Sequence, residues 1–418
     1  MKLAVVGAGS TYTPELVDGL VRLRGVLPVE ELALVDTDHD RLRILAGMTR
    51  RMLDRAGHPA AVLATPRLEE GVEGAAAVLV QLRVGGQAAR VVDETLPLRC
   101  GCIGQETTGF GGLAKALRTV PVVLDIADRV RAIEPHAWIV DFTNPVGIVT
   151  KALLDAGHRA VGLCSAALVF QRHFARVLDV EPELVELDHV GLNHLTWELG
   201  VRVGSRDVLH ELTHDHVDRV APAAGLPAAL VRRLGVVPSY YLHYFWEHDE
   251  LVEHARTHES RAEEVQAIES ELLRLYEDET VAEKPELLGR RGGAFYSEAA
   301  VELLGSLLGT SDDHRHVVNV RNRGTLEFLP DEAVVEVPAR VSTESVTPLP
   351  MPRLAPEFRG LVAHVSAYEE LALEAALHGG RERVFRALLA HPLVGQTRQA
   401  ERLTDLLLDA NRRYLPWA

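Results

Sequence analysis

The stretch from Lys2 to Asp36 constrains the fold more than any other. Residues 2–7 read as a short buried strand that runs into Gly7-Ala8-Gly9-Ser10-Thr11-Tyr12. Leu16, Leu20, Val21 and Leu23 then recur at helical spacing, and Glu31-Leu32-Ala33-Leu34-Val35 makes a second strand ending on Asp36. A strand, a glycine turn, a helix and a second strand tipped by an acid form the first βαβ unit of a Rossmann-type parallel sheet. Gly7 and Gly9 let the backbone approach a pyrophosphate at the helix N-terminus. Asp36 is placed to accept hydrogen bonds from an adenosine ribose. It favours NAD over NADP, whose extra phosphate it would repel. Tyr12 stands where the third glycine of this pattern usually is, so the expected turn is looser than standard.

The same rhythm continues. Leu42, Leu45, Ala46, Met48 and Met52 mark the inner face of a helix over 40–56, Ala75–Gln81 reads as a buried strand, and 120–127 with its flanks as a helix. A further strand, Ala137–Phe142, ends in Thr143-Asn144-Pro145, and the next, from Ala160, ends at Cys164. Parallel strands expose their C-terminal tips at the ligand crevice. Asn144 therefore sits where a polar side chain meets cofactor or substrate, unless it only makes an Asn-Pro turn. Between these elements, Leu82 to Gly112 reads as a loop in which glycines stand beside Arg83, Arg90, Asp93, Glu94 and Glu106. Solvation alone does not require that many glycines beside arginines, so an anion or polyol site is expected there.

Past Cys164 the rhythm breaks. Antiparallel strands are expected over 184–203, and the second half of Asp188–Trp197 reads as a buried strand carrying Asn193 and His194 among Leu192, Leu195 and Trp197. A lone buried histidine is usually a satisfied core residue. With the thiol of Cys164 at another strand end, His194 makes a plausible transition-metal pair. Residues 213–234 read as helix with a break at Pro222, and the aromatic run Val236–Trp246 as starting a helix after Pro238. A helix over 259–277 buries Val265, Ile268, Leu272 and Leu275, and its charges read as a solvated face. Arg290-Arg291-Gly292-Gly293 is a second anion-site candidate, with a helix after it. Two strands over 315–337, a proline-rich loop over 345–359 and helices over 361–390 and 396–414 complete the chain. Residues 1–165 and 166–418 are the two expected domains, sharing one cleft.

Net charge in this 418-residue chain is −16, which argues against nonspecific nucleic-acid binding and against docking on an anionic membrane. A local arginine cluster can still hold an anionic small substrate. No apolar run is long enough to span a bilayer, and the apolar start meets Glu15 and Asp18 too early for a signal peptide. Cys100, Cys102 and Cys164 give no disulfide framework, so a reducing, cytoplasmic setting is expected. Cys100 and Cys102 read as structural thiols.

Taken together, the motifs resemble the NAD- and divalent-metal-dependent glycoside hydrolases of family 4, nearly end to end. The resemblance is carried by Gly7–Leu16, Leu82–Gly86, Gly104–Gly109, Thr143-Asn144-Pro145, Gly162-Leu163-Cys164, Gly191–His194, Pro238–Leu242 and Arg291–Ala294. Gln105-Glu106-Thr107-Thr108 and Ala114–Arg118 look most like the 6-phospho-β-glucosidase branch. For the fold, the resemblance implies an α/β protein: a Rossmann-type parallel sheet followed by an α+β domain like the C-terminal domain of lactate and malate dehydrogenases, with substrate, metal and oligomer contacts.

For the site, the resemblance implies that Cys164 and His194 hold a metal, usually manganese, and that Tyr241 is the general base. It implies that Asn144 and Asn193 contact sugar hydroxyls, that Arg90 and Arg291 meet the substrate, Arg291 at a 6-phosphate, and that Gly7, Gly9, Ser10 and Asp36 hold NAD. The implied reaction oxidises the sugar at C3, removes the C2 proton, eliminates the aglycone, adds water at C1 and returns the hydride. The substrate implied is a 6-phospho-β-glucoside, with an unphosphorylated or α-linked sugar, a plain dehydrogenase and a non-catalytic NAD- and sugar-binding protein as alternatives. A homodimer or homotetramer is implied as well. One departure concerns the leaving group: family members commonly carry Asn, Asp or His directly after the metal cysteine, and an Asp there can protonate the aglycone, whereas this chain has Ser165.

Overall fold

Strand β1 (Lys2–Val6) is apolar from Leu3 onward and buried, as a central parallel strand covered on both faces must be. The computed structural model describes residues 1–292, 295–311 and 314–418. In it β1 pairs in parallel with β2 (Glu31–Val35), which pairs with β3 (Ala61–Thr65). On its other side β1 pairs with β4 (Ala75–Val80), which leads through β5 (Trp138–Asp141) to β6 (Ala160–Gly162). The crossovers carry α1 (Thr13–Arg22), α2 (His39–Arg55), α3 (Leu68–Val72), α4 (Gly86–Thr95), α5 (Gly109–Ile133) and α6 (Val146–Asp155). The order 3-2-1-4-5-6 is the doubly wound arrangement expected from the sequence. Helix α2 begins on Asp38, whose carboxylate accepts the Arg41 N–H at 3.0 Å, and buries Leu42, Leu45, Ala46, Met48 and Met52 as expected.

After β6 come α7 (Ala166–Leu178), the hairpin β7 (Val185–Leu192) and β8 (Leu195–Val203), and β9 (Arg206–Asp207). Next are α8 (Leu209–His214), α9 (Val217–Ala224), α10 (Ala228–Leu234), β10 (Val237–Pro238), a 3-10 turn at Tyr240–Leu242, α11 (His243–Trp246), α12 (His248–Thr257), α13 (Arg261–Glu277) and α14 (Tyr296–Leu307). The chain closes with β11 (Arg315–Arg321), β12 (Val334–Val341), β13 (Val346–Pro348), α15 (Pro356–His378), α16 (Arg381–Ala390) and α17 (Thr397–Asn411). β11 joins β6 in antiparallel sense at Asn319 and Gly162, and β12, β7, β8 and β10 extend the same sheet, which has 13 strands among the described residues. Tips of the parallel strands and the β7–β8 turn therefore face one another across a single sheet.

Four expectations need correction. Asn193 and His194 are not inside a strand: they are the two central residues of the β7–β8 turn, between paired Leu192 and Leu195. The stretch 82–112 is not one loop, because α4 and the start of α5 lie in it. The glycines that suggested a loop are where backbone meets backbone: a Cβ on Gly111 would lie 2.1 Å from the Gln105 carbonyl oxygen, and on Gly112 2.6 Å from that of Thr107. Pro222 sits within α9, and the break falls at Gly225, which ends the helix with φ +64. The helix expected over 361–390 starts earlier and is split at Gly379, where Trp417 packs so close that a Cβ would lie 2.5 Å from its ring. Gly293 and Ala294, part of the second anion-site candidate, lie outside the described residues.

Candidate active site

A cleft of about 1690 Å³ opens at the C-terminal tips of the parallel strands and is lined by Gly7, Gly9, Ser10 and Asp36 at one end and by Cys164, His194 and Tyr241 at the other. It exceeds the range of roughly 300–1,000 Å³ usual for one small ligand, so a dinucleotide and a second molecule fit together. Gly7 has φ +90, and a Cβ there would lie 2.7 Å from the Gln81 carbonyl oxygen. The Gly9 N–H donates to Asp36 Oδ2 at 2.7 Å, and a Cβ on Gly9 would collide with that oxygen. Arg41 Nε donates to the Gly9 carbonyl at 2.7 Å, and Ser10 Oγ accepts the Tyr12 N–H at 3.2 Å. The turn is not looser for lacking a third glycine. Tyr12 precedes α1 with φ −85, which any residue adopts, and its ring meets Tyr296 edge-on at 6.1 Å.

Cys164 follows β6 directly. Burial, helped by the nearby Glu336 charge, pushes its thiol pKa well up, against the Ala166 and Ser165 N–H groups at the start of α7 and the Asn193 amide, which favour the thiolate. His194 is brought alongside by the β7–β8 turn, with φ +64, a left-handed conformation that costs a non-glycine residue energy and clusters at functional sites. Gly191 permits the turn, since a Cβ there would lie 2.1 Å from the Leu195 carbonyl oxygen.

The tautomer of His194 follows from its neighbours. Thr107 Oγ1 donates to Gln105 Oε1 at 2.9 Å, so toward His194 Nδ1, at 2.8 Å, it acts as acceptor. Nδ1 therefore carries the proton and Nε2 presents its lone pair. Burial lowers the His194 pKa to about 4, so the ring is neutral at pH 7. The Tyr241 ring stacks on it at 3.7 Å and 9°, and burial holds the phenol well above its ordinary pKa. A buried thiol and a bare imidazole nitrogen are the donors a borderline-soft divalent metal takes. No group of three or more His, Cys, Asp and Glu is assembled among the described residues.

A charged belt surrounds this end. Glu106 pairs with Arg83, with Lys115 at 2.8 Å and with Arg90 at 3.4 Å. Burial opposes its charge, but these cations outweigh it and hold the carboxyl well below its usual range. Burial also brings Lys115 down to about 7. Arg90 lines the cleft and is braced by Glu94 at 2.7 Å. Arg291 lines it too, with two nitrogens on Glu269 Oε1 at 3.0 and 2.8 Å and its guanidinium over the Tyr12 ring at 5.5 Å. The charges of α13 are thus not all a solvated face: Glu269 is 7% exposed and also accepts Gln87 Nε2 at 2.9 Å.

Asn144 lines the cleft with a buried Oδ1 that has no protein partner, a cost that a ligand donor would remove. Asn193 is turned elsewhere. Its Nδ2 donates to Glu336 Oε2 at 2.7 Å, and it is not among the residues that line the cleft. Glu336 also accepts from Asn319 at 3.0 Å and pairs with His189 at 3.0 Å, whose other nitrogen meets Glu198 at 2.6 Å. Glu106, Thr107 and Lys115 stood in motifs read from the sequence but had no individual role there, and Glu336 was not singled out. Glu336 had a signal, a lone charge within Val334-Val335-Glu336-Val337.

Comparison with known proteins gives a consistent picture. The model of the family 4 glycosyl hydrolases matches residues 2–180, and that of the family 4 C-terminal domain matches residues 189–394. The chain is 34% identical over 434 residues to the 6-phospho-beta-glucosidase of Escherichia coli (strain K12), covering 100% of this chain and 96% of that protein. A 6-phospho-beta glucosidase structure from Thermotoga maritima, solved with manganese, NAD+ and glucose-6-phosphate, superposes with a TM-score of 0.92 at 34% identity and covers 99% of each chain. Malate dehydrogenase from Plasmodium falciparum shares the fold at 14% identity, with a TM-score of 0.55 over 90% of this chain and 98% of that one. The expected likeness to the lactate and malate dehydrogenases therefore holds as a likeness of fold.

Proposed function

This chain belongs to the family 4 glycosyl hydrolases, and on that premise we propose that it is a 6-phospho-β-glucosidase working with NAD and a divalent transition metal, manganese first among them. The observation that carries the reading is Cys164 and His194 Nε2 lining the far end of a dinucleotide cleft, with Tyr241 stacked against His194. Gly7, Gly9, Ser10 and Asp36 hold the dinucleotide, and Cys164 and His194 hold the metal.

When bound, these two groups supply the hydride acceptor and donor at sugar C3 and the Lewis acidity that makes the C2 proton removable. Tyr241 takes that proton. Burial opposes a phenolate at this position, so the base forms only beside a cation. Asn144 Oδ1 accepts from a sugar hydroxyl. Arg90 orients the ring and Arg291 binds the 6-phosphate, each held in place by its carboxylate partner. Ser165 lines the cleft beside Cys164 but is too weak an acid to protonate an aglycone, so this chain favours leaving groups that depart unaided or with water. Two or four copies assemble in solution, which light scattering tests. Among the described residues no helix is long and apolar enough to cross a membrane.

The decisive experiment offers α- and β-glucosides, each with and without a 6-phosphate, to protein supplied with NAD+, Mn2+ and a reductant. Selective hydrolysis of the phosphorylated β-glucoside, with deuterium entering C2 of the sugar product in D2O, is the expected result. Activity that survives removal of both NAD+ and Mn2+ refutes the mechanism. A preference for the α-linked or unphosphorylated arm reassigns the substrate.

A further inference from the structure

Two short segments share one pattern: His210-Glu211-Leu212-Thr213-His214 closes α8, and His254-Ala255-Arg256-Thr257-His258 closes α12. Histidines four apart lie on one face of a helix. In α8 the two rings stack with centroids 4.0 Å apart and planes 3° from parallel, and at the end of α12 the values are 3.8 Å and 16°. In each pair the second histidine turns Nδ1 onto the carbonyl oxygen of the first, at 3.2 Å from His214 and 2.9 Å from His258. The threonine before it adds a second contact to that nitrogen, at 3.1 and 3.0 Å, while the threonine's own proton goes to a backbone carbonyl.

A carbonyl oxygen only accepts, and so does a hydroxyl whose proton is already committed. Nδ1 of His214 and of His258 therefore carries the hydrogen. Nε2 of each is left with a bare lone pair, oriented by a backbone partner as metal-ligating imidazoles are. His210 and His254 make no side-chain hydrogen bond among the described residues and are exposed, so each ring is free to tilt toward its partner. Two zinc–nitrogen bonds of about 2.0–2.1 Å at a tetrahedral angle place their nitrogens roughly 3.3 Å apart. Rings stacked at 3.8 and 4.0 Å reach that separation by a small tilt. No third His, Cys, Asp or Glu joins either pair among the described residues, which makes each a two-imidazole chelate.

We propose that His210 with His214, and His254 with His258, are two surface chelating sites for a divalent ion of the zinc, nickel and copper class. These ions favour imidazole, and manganese binds the same ligands more weakly. The two pairs thus differ in ligands and in metal preference from the pair of Cys164 and His194, and they stand whether or not the phosphoglucosidase reading does. His254 lines the cleft, so an ion there sits at its wall. His210-Glu211-Leu212-Thr213-His214 also has the spacing of a zinc-protease helix. Glu211, however, is tied to Arg206 at 3.1 Å and to His216 at 3.4 Å and does not line the cleft, so this site binds metal without hydrolysing.

The test titrates zinc chloride by calorimetry into the full chain saturated with NAD+ and Mn2+, as wild type, His210→Ala, His254→Ala and the double variant. Each alanine removes an exposed ring that makes no hydrogen bond, so the fold is kept, which near-ultraviolet circular dichroism checks. Each single variant should bind about one zinc equivalent fewer than wild type, and the double variant about two fewer. Zinc that exchanges into Cys164 and His194 is common to all four proteins and cancels. Crystals soaked in zinc chloride should then show anomalous peaks against Nε2 of His214 and of His258. A single variant that binds as much zinc as wild type, or a pair without its peak, overturns the assignment at that pair.

Discussion

The rings of His194 and Tyr241 lie face to face, with centroids 3.7 Å apart and planes 9° from parallel. Stacking ties the position of the phenol to that of the imidazole, so whatever Nε2 holds also lies close to the phenol. The proposed general base and the proposed metal ligand are thereby fixed by one contact. Tyr241→Phe keeps the ring and removes only the oxygen. It should lower kcat by about 10²–10⁴-fold and abolish deuterium uptake at C2, while NAD+ and Mn2+ affinities stay near wild type. Turnover within a few-fold of wild type would remove Tyr241 from the role of base.

Thr107 sets which nitrogen of His194 is bare. Thr107→Val keeps the shape and deletes the acceptor for Nδ1–H, so the proton is no longer directed away from Nε2. Mn2+ affinity, measured by calorimetry with NAD+ at saturation, should fall about 10–100-fold. An unchanged affinity would mean the ring is oriented by its stacking alone.

Arg291 is pinned by Glu269 so that its guanidinium faces the cleft. Arg291→Ala should raise KM for phosphorylated substrates about 10–100-fold, as loss of charge-assisted hydrogen bonds predicts, and leave unphosphorylated glucosides nearly unaffected. Steady-state kinetics on the two series separates this from general damage, which would affect both alike.

Behind the cleft, burial opposes a charge on His189, but Glu198 and Glu336 outweigh it and raise its pKa to about 10. A group raised on folding stabilises fully below its unfolded value near 6.5, and the gain is lost as pH climbs through the folded value. Thermal stability should therefore decline as pH rises from about 6.5 toward 10, and Glu198→Gln should flatten that decline. Glu336→Ala, which strips one partner from a buried charge, should cost about 3–5 kcal/mol, read from denaturant melts at pH 7.

How much of this was legible in the residues depends on the range of each interaction. The βαβ start, Asp36 at a strand tip, Asn144 and Cys164 at the ends of later strands and the buried face of α2 are written in local spacing and apolar runs. Helix α4 was hidden because Gly85 and Gly86, at its start, carry the signature of a loop. Glu269 was hidden because helical periodicity separates inner from outer positions but does not say what the outer ones will meet.

The sequence by itself determined most of the elements and their polarity, since hydrophobic period and turn chemistry act over a few residues. It also supplied the thiol, the imidazole and the phenol. Only the tertiary structure decided that Asn193 and His194 form a turn, that Asn193 faces Glu336 across 143 positions of chain, and that Thr107 selects the tautomer of a histidine 87 positions away. Those partners are set by the order β6-β11-β12-β7 in the sheet and by where α5 begins. A buried polar atom takes whichever donor or acceptor the fold brings within about 3 Å, and that proximity has no counterpart in sequence distance.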